Sequence, residues 1–340
     1  MLIYIIKRIA LALVTLFVII LVTYALLRKA PGDPTKSSFF GDATGSAHTI
    51  SAEKGISTYN KSMREKLHLD KPVYIGFFLW LKGVILRGDL GESVSVDKGR
   101  PVSRLILERL PITLYLNILA IIVTYLIAIP VGIHSAVSKN IKLETGITFF
   151  LFFLYSLPSF WIALILQATI CEGGMWASIF PLKGISDNSA WGMSTWTSML
   201  NSTKHYVLPV FCLSYAGFAG LSRYARAGML DVISQDYIRT ARAKGLPESV
   251  VIFKHAFKNA AITLITLFAG LIPGLVAGSI MLEHIFNIPG MGTLSMLALS
   301  SRDIPLLMAI FGFGSALTLI GILVSDLLYI LVDPKIKLNK

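Results

Sequence analysis

The side chains that can do chemistry are few and scattered in this sequence. Glu283 and His284 are adjacent, but neighbouring residues on a helix diverge in direction, so they do not form a metal-ligand pair. No Gly-Lys dipeptide occurs, which excludes a phosphate-binding loop of the GxxxxGK[ST] type. The histidines and cysteines do not cluster in sequence: His48, His68, His134, His205, His255, His284, Cys171 and Cys212. We predict no catalytic residue, no metal site and no cofactor site in this chain.

One polar stretch, residues 236–260, interrupts an otherwise apolar second half of the chain. It reads DYIRTARAKGLPESVVIFKHAFKNA. Ser234 or Asp236 is expected to cap a short helix that runs from Tyr237 to Lys244. The general alternative is a basic cytoplasmic loop that only follows the charge rule for membrane topology.

The end of that short helix is marked by two residues with special backbones. Gly245 is suited to a left-handed conformation, which is costly for residues with a side chain. Pro247 suits the first turn of a following helix. That helix is expected to start at Glu248 and run on into the apolar segment after Ala260. The pattern predicts a rigid helical corner that projects from the membrane.

The amino-acid composition indicates that this corner belongs to a membrane protein. The chain has 340 residues, is 54% hydrophobic and 15% charged, and has a mean hydropathy of +0.70. These values are typical of a protein that crosses the membrane several times, so membrane lipid is an expected partner. The net charge of +12 is spread between apolar segments without a recognisable binding motif, which argues against nucleic-acid binding.

Apolar segments long enough to cross a bilayer define an all-α fold with six transmembrane helices. The fourth is expected to stop at Arg223 and Arg226. A shorter apolar helix, residues 73–86, is expected to lie on the membrane or on the bundle. The six predicted spans are residues 9–27, 111–133, 146–171, 206–221, 260–282 and 304–325.

Two of these spans contain residues that disturb helices, and they are candidates for the translocation path. Proline within a span either bends the helix for packing or opens backbone carbonyl groups toward a cavity. The small residues of the fifth span, including Gly270 and Gly274, are expected to allow close helix approach. The candidate path residues are Ser156, Pro158, Ser159, Trp161, Gly274 and Gly278.

The distribution of lysine and arginine gives the orientation. With both termini in the cytoplasm, the inner segments hold 14 of the 31 basic residues, whereas the two short outer loops hold three. The remaining 14 lie in residues 28–109, a region long enough to escape the rule. We divide the chain into residues 1–28 with the first span, an external region 29–110, and a core 111–340 with a cytoplasmic loop 229–260. Residues 41–62 are expected to form a loosely ordered insert.

The polar corner closely resembles the coupling loop of ABC importer permeases of the dipeptide and oligopeptide branch. Arg239 stands where the general motif has glutamate, as is common in peptide permeases. The stretch from Phe180 to Gly184, the insert and Asp333-Pro334 look most like the Yej branch, which is associated with peptides and microcin C. The residues that the resemblance assigns to ATPase coupling are Tyr237, Arg239, Thr240, Ala241, Arg242, Ala243, Lys244, Gly245, Pro247, His255 and Asn259.

The resemblance implies a type I ABC importer permease fold in the bacterial inner membrane. It implies a second permease subunit, two cytoplasmic ATPase subunits that bind ATP and Mg²⁺, and an extracytoplasmic substrate-binding protein. Alternatives are a secondary active transporter, or ABC import of nickel chelates or opines. A secondary carrier is disfavoured because its coupling requires ionisable groups in mid-membrane, and the spans contain almost none.

Overall fold

The computed structural model describes residues 2–29, 64–65, 70–138, 140–185 and 195–332. The insert 41–62, the segment 186–194 with Trp191, and Asp333-Pro334 lie outside the described residues. The described chain is helical apart from short loops and two isolated β-bridges, Glu92 with Pro101 and Cys171 with Phe180. The all-α prediction is therefore confirmed.

The helices follow one another in the order of the sequence. The segments Glu248–Val250, Val251–Phe257 and Lys258–Leu271 are consecutive, the middle one is π-helical, and we call them together α8. A 3₁₀ segment, Ile272–Val276, follows α8. The other helices are α1 Leu2–Lys29, α2 Val73–Arg87, α3 Val102–Val137, α4 Ile141–Ser156, α5 Ser159–Ile170, α6 Thr195–Ile233, α7 Asp236–Ala243, α9 Ile280–Ile285, α10 Met291–Ser300 and α11 Ile304–Val332.

Five helices in the described part of the chain are long and apolar enough to cross a membrane. Helices α4 and α5 make a sixth span if they are counted together, although they meet at an angle of 93°. The polytopic prediction is confirmed, and its third span is a broken one. The five unbroken candidates are Ile5–Lys29, Val102–Val137, Thr203–Ile233, Glu248–Phe268 and Ile304–Leu327.

The helix of the fourth span does not stop at Arg223 and Arg226, contrary to the prediction. Helix α6 continues to Ile233 because both side chains find partners on α4. Arg226 forms an ion pair with Glu144, and the Arg223 guanidinium lies 5.1 Å from the ring centre of Phe152. A cation with a carboxylate or an aromatic ring beside it can be accommodated near a membrane surface.

The helix of the fifth span begins at Glu248, as predicted, but it ends at Leu271, before the predicted end of the span at residue 282. Pro273 lacks the amide hydrogen that a continuing α-helix would use, and the chain passes into the 3₁₀ segment instead. Gly270 and Gly274 are not sites of close approach within this chain, because a Cβ atom on either would meet nothing within 4 Å.

The chain divides into two compact units. The first comprises Met1–Pro111 and Met291–Ile320. In it, Phe77 of α2 is fully buried against Tyr24, with ring centres 5.7 Å apart. Helix α2 therefore packs on α1, while Tyr74 and Phe78 on its other side remain exposed.

The second unit comprises Ile112–Gly290 and Gly321–Lys340. Its centre is the contact of α3 with α6, where glycines bring the backbones together. A Cβ on Gly132 would lie 2.5 Å from Ala225 Cβ, and one on Gly217 would lie 2.8 Å from Thr124 Cγ2. Real Cβ atoms do not approach this closely, so these glycines are required by packing, as is common between membrane helices. This contact forms the framework on which the polar corner stands.

Candidate coupling surface and translocation residues

Helix α7 is the short helix of the polar corner, and it starts without a side-chain cap. Gln235 occupies the N-cap position, and its side chain makes no capping hydrogen bond. Ser234 lies one residue before the N-cap position and its hydroxyl donates to the carbonyl of Asp231 at 2.8 Å, while Asp236 is already the first helical residue. The prediction that Ser234 or Asp236 caps this helix is therefore wrong.

The end of α7 follows the prediction. Gly245 has φ +74°, in the left-handed region, and its amide donates to the carbonyl of Arg242 at 2.9 Å. Pro247 is the N-cap of α8, one position before its first turn, and its carbonyl accepts from the amide of Val251 at 3.1 Å. A left-handed glycine and an N-cap proline thus make a corner of four residues, 244–247, between α7 and α8.

The corner is anchored by a small apolar cluster. Ile238 and Ala241 are the buried residues of α7. They belong to one cluster with Val251 and Ala256 of α8 and with Met229 of α6. Burial of apolar area stabilises such a contact by about 25 cal/mol per Å². Ala241, predicted as part of the coupling surface, is thus part of its support.

Polar contacts on the outside of the corner join its two helices. Asn259 donates through Nδ2 to the hydroxyl of Tyr237 at 2.8 Å. Arg242 donates through both Nε and Nη2 to the carboxylate of Glu248, at 3.3 and 2.7 Å. This hydrogen bonding raises the pKa of Arg242 from its ordinary value, so the guanidinium stays charged.

The outer surface of the corner is basic and solvent-exposed. His255 is half-buried and Asn259 is exposed at the base of the corner. Arg239 lies 3.6 Å from Asp236, but both side chains are so exposed that this ion pair contributes little to stability. The exposed predicted residues on the projecting part are Tyr237, Arg239, Thr240, Arg242, Ala243, Lys244, Gly245 and Pro247. Such a surface can bind an acidic or polar groove on another protein.

The first candidate path site is the bend between α4 and α5. Pro158 is the N-cap of α5, and Ser159 is its first residue. The Leu157 carbonyl, freed by the bend, accepts from the hydroxyl of Tyr215 at 2.6 Å. Ser156 donates to the carbonyl of Phe153 at 2.7 Å, and Trp161 is exposed. The break is therefore satisfied by the protein itself, which favours a packing role for Pro158.

The second candidate path site is the unwound stretch after α8. Gly274 lies in the 3₁₀ segment and is exposed, and Gly278 lies in the extended residues before α9. Asn117 of α3 donates through Nδ2 to the carbonyls of Leu275 and Ala277, at 2.7 and 3.1 Å. No sequence signal selects Asn117 or Tyr215, because their partners are carbonyls distant along the chain. The two path sites are thus held by different side chains on α3 and α6.

Glu283 proves to be a structural residue. Its side chain is 3% exposed, and Thr113 donates to its Oε1 at 3.2 Å. A Cβ on Gly290 would lie 2.6 Å from the Glu283 Cδ atom, so a larger residue there would displace this carboxylate. Within the described ranges, no group of three or more His, Cys, Asp or Glu side chains could hold a metal ion. The absence of a metal site stays a prediction.

These features define a class of protein: a polytopic helical membrane protein with a rigid basic corner between two spans and broken helices in its core. Residues 128–338 match the family described as the inner membrane component of binding-protein-dependent transport systems, and residues 1–117 match the family described as the N-terminal part of the membrane component of such systems. The chain belongs to this family of transport permeases. The predicted resemblance to ABC importer permeases is confirmed.

Relatives cover the chain almost from end to end. The oligopeptide transport system permease protein AppB of Bacillus subtilis is 38% identical over 98% of this chain and 99% of its own length. The dipeptide transport system permease protein DppB of Lactococcus lactis is 32% identical, over 98% of this chain and 99% of its own. The inner membrane ABC transporter permease protein YejB of Escherichia coli O157:H7 is 30% identical, over 98% of both chains. The predicted peptide-permease branch, including Yej-type relatives, is thus confirmed.

Proposed function

We propose that this chain forms half of a peptide translocation pathway that is opened and closed by ATP hydrolysis on partner subunits. The observation that carries the proposal is the corner at Gly245, which presents eight exposed residues on a buried apolar base. Because α8 is continuous from Glu248 to Leu271, a displacement of the corner moves the membrane-spanning helix with it. The corner is therefore the element that transmits force.

The partners follow from the same surface. Two cytoplasmic ATPase subunits bind ATP and Mg²⁺, and one of them receives the corner of this chain. A second permease, either a homologue or another copy, completes the pathway, and an extracytoplasmic protein delivers the substrate. The open surface at Gly270 and Gly274 supports contact with a second permease, since small residues allow close helix approach in lipid.

The substrate class rests on the relatives, whose names specify oligopeptide and dipeptide transport. We infer that this chain transports peptides or peptide-like compounds. The breaks at Leu157 and at Leu275 contribute to the path as fixed bends, since Tyr215 and Asn117 already bind their carbonyls. Peptide selection then depends on side chains along the path and on the binding protein.

The complete complex in proteoliposomes tests this function. We expect uptake of a labelled oligopeptide only with internal ATP and Mg²⁺ and with the binding protein outside. Uptake driven by an ion gradient without ATP would show a secondary carrier instead. ATP-dependent uptake of a nickel chelate or an opine, but not of peptides, would contradict the substrate class and leave the ATP-driven mechanism standing.

Orientation is tested by cysteine labelling. We propose that both termini are cytoplasmic, so Ser249→Cys should react with a membrane-impermeant thiol reagent only after permeabilisation. Asp97→Cys, also at an exposed position, should react in intact cells. The native Cys171 and Cys212 are buried, so both give a low background. The reversed pattern would overturn this topology.

A further inference from the structure

The loop between α2 and α3 is closed on itself by backbone and side-chain hydrogen bonds. Gly91 has φ +92°, and its amide binds the Asp89 carboxylate at 2.8 Å. The amide of Ser93 donates to the carbonyl of Arg100 at 2.9 Å. The amide of Asp97 donates to the hydroxyl oxygen of Ser93, also at 2.9 Å. We call residues 89–101 the external loop. These bonds make it a preformed unit.

A single buried carboxylate fills the centre of this loop. Asp303 is fully buried, and its Oδ2 accepts from the hydroxyl of Ser93 at 2.5 Å. The same oxygen accepts from the amides of Val94, Ser95 and Val96, at 3.0, 3.0 and 3.2 Å. Successive backbone amides that converge in this way form a nest for an anion. Here the anion is supplied by a residue 210 positions later in the chain.

The other oxygen of Asp303 binds a different element. Oδ1 accepts from the amide of Leu306 at 3.2 Å, and the Asp303 carbonyl accepts from the amide of Leu307 at 2.8 Å. Asp303 is therefore the N-cap of α11, a membrane-spanning helix. One carboxylate holds the external loop with one oxygen and the start of α11 with the other. This buried charge is compensated by five donors.

A cavity between the same elements depends on this link. It has a volume of about 570 Å³. Ser93, Val94 and Lys98 of the external loop line one side, and Ile304 and Pro305 of α11 line another. If the loop separated from α11, the walls of this cavity would separate as well. The hydrogen bonds of Asp303 therefore determine the shape of this cavity.

We propose that Asp303 is a positioning residue that makes the external loop move with α11, so that the outer surface of the permease changes when its spans rearrange. This inference rests on the proposed function and topology. The extracytoplasmic binding protein is the partner whose binding would respond to this change, because it binds the permease from that side. Asp303 does not contact substrate and acts only through the loop.

The test is Asp303→Asn in the complete complex. Asparagine has one acceptor oxygen, and its amide nitrogen is a donor, so it can serve the loop or α11 but not both. We expect hydrogen exchange at the amides of residues 94–96 to accelerate at least about a hundredfold. We also expect the concentration of loaded binding protein that gives half-maximal ATPase stimulation to rise at least about fivefold.

Control variants separate this role from simple stability. Asp97→Asn changes an exposed carboxylate of the same loop that pairs with Arg100, and it should leave both measurements at wild-type values. Ser93→Ala removes one donor to Asp303 and should shift both in the same direction, but less. It also provides the test if Asp303→Asn does not assemble.

The two measurements have distinct outcomes. Wild-type exchange at residues 94–96 in Asp303→Asn would show that the link does not hold the loop. Faster exchange with unchanged stimulation would show that the link is only structural, and either result overturns the inference. A wild-type complex whose ATPase ignores the binding protein would instead contradict the proposed function.

Discussion

The polar corner and the external loop keep a fixed shape through different kinds of contact. Both are polar segments that must keep a fixed shape beside apolar helices. The corner is shaped by the left-handed conformation of Gly245 and by exposed contacts such as Asn259 with Tyr237. The external loop is shaped by Asp303, a fully buried carboxylate with hydrogen bonds on both oxygens.

This difference determines how much each segment depends on a single side chain. Exposed polar contacts contribute little to stability, because water replaces either partner when one is removed. A buried donor that loses its acceptor has no such replacement, and the cost is about 1–3 kcal/mol for each group. The corner should therefore tolerate side-chain truncation but not a backbone change. The loop should be sensitive to truncation of the side chains that form its buried link, Ser93 and Asp303.

The largest expected effect is that of Gly245→Val on coupling. A left-handed conformation costs residues with a Cβ about 1–2 kcal/mol, and a β-branched side chain pays more. Nothing lies within 4 Å of the added Cβ, so the cost is conformational and not steric. We expect the permease to insert normally, while peptide uptake and ATPase stimulation by the loaded binding protein are lost.

Two control variants identify the cause of that effect. Gly245→Ala should be milder, because it adds a Cβ without branching. Ser249→Val adds a β-branched residue at an exposed helical position outside the predicted coupling residues, and it should keep uptake near the wild-type rate. If Gly245→Val retains both uptake and stimulation, the corner is not the coupling element.

The corner could be predicted from the sequence because its determinants are local. Gly245 and Pro247 end and begin helices through their own backbones, and both lie within a few residues of the turn that they make. The cap was the exception. Ser234 has a suitable hydroxyl, but it lies one residue before the N-cap position, which Gln235 occupies without a side-chain capping bond. Local signals indicate where a helix can start, but they do not decide which residue takes the N-cap position.

The external loop could not be predicted, because its determinant is distant along the chain. Nothing near Asp303 in sequence indicates that its partner is Ser93. The C-terminal end of the fifth span was misplaced for a related reason. Hydropathy measures only the apolar length, whereas the break after Leu271 is supported by Asn117 on another helix. Contacts of this kind appear only when the fold brings the helices together.

The second expected effect, by size, is that of Ser93→Ala on the stability of the external loop. The hydrogen bond to Asp303 is buried and charge-assisted, and such bonds contribute about 1.5–3 kcal/mol. Hydrogen exchange at residues 94–96 should therefore be roughly tenfold to a hundredfold faster. An increase below about threefold would mean that the buried link is no stronger than an exposed contact.

The smallest expected effect is that of Tyr237→Phe on the coupling corner. The substitution removes the hydroxyl that accepts from Asn259 and keeps the ring. Asn259 can then bind water, and its Nδ2 also donates to the carbonyl of His255 at 3.3 Å. We expect the amides of α7 to exchange less than about threefold faster than in the wild type, a loss below about 0.7 kcal/mol.

A double-mutant cycle with Asn259→Ala determines whether this small effect belongs to the contact itself. If the two residues stabilise the corner only through their shared hydrogen bond, the double variant should resemble either single variant, with an interaction energy below about 0.7 kcal/mol. Thr240→Ala is the matched control, because its hydroxyl binds the Asp236 carbonyl within α7 and does not join the two helices. An interaction energy above about 1.5 kcal/mol would mean that an exposed contact holds the corner as firmly as Asp303 holds the external loop. The contrast between the two segments would then be wrong, and Tyr237, with Gly245, would be a determinant of the shape of the corner.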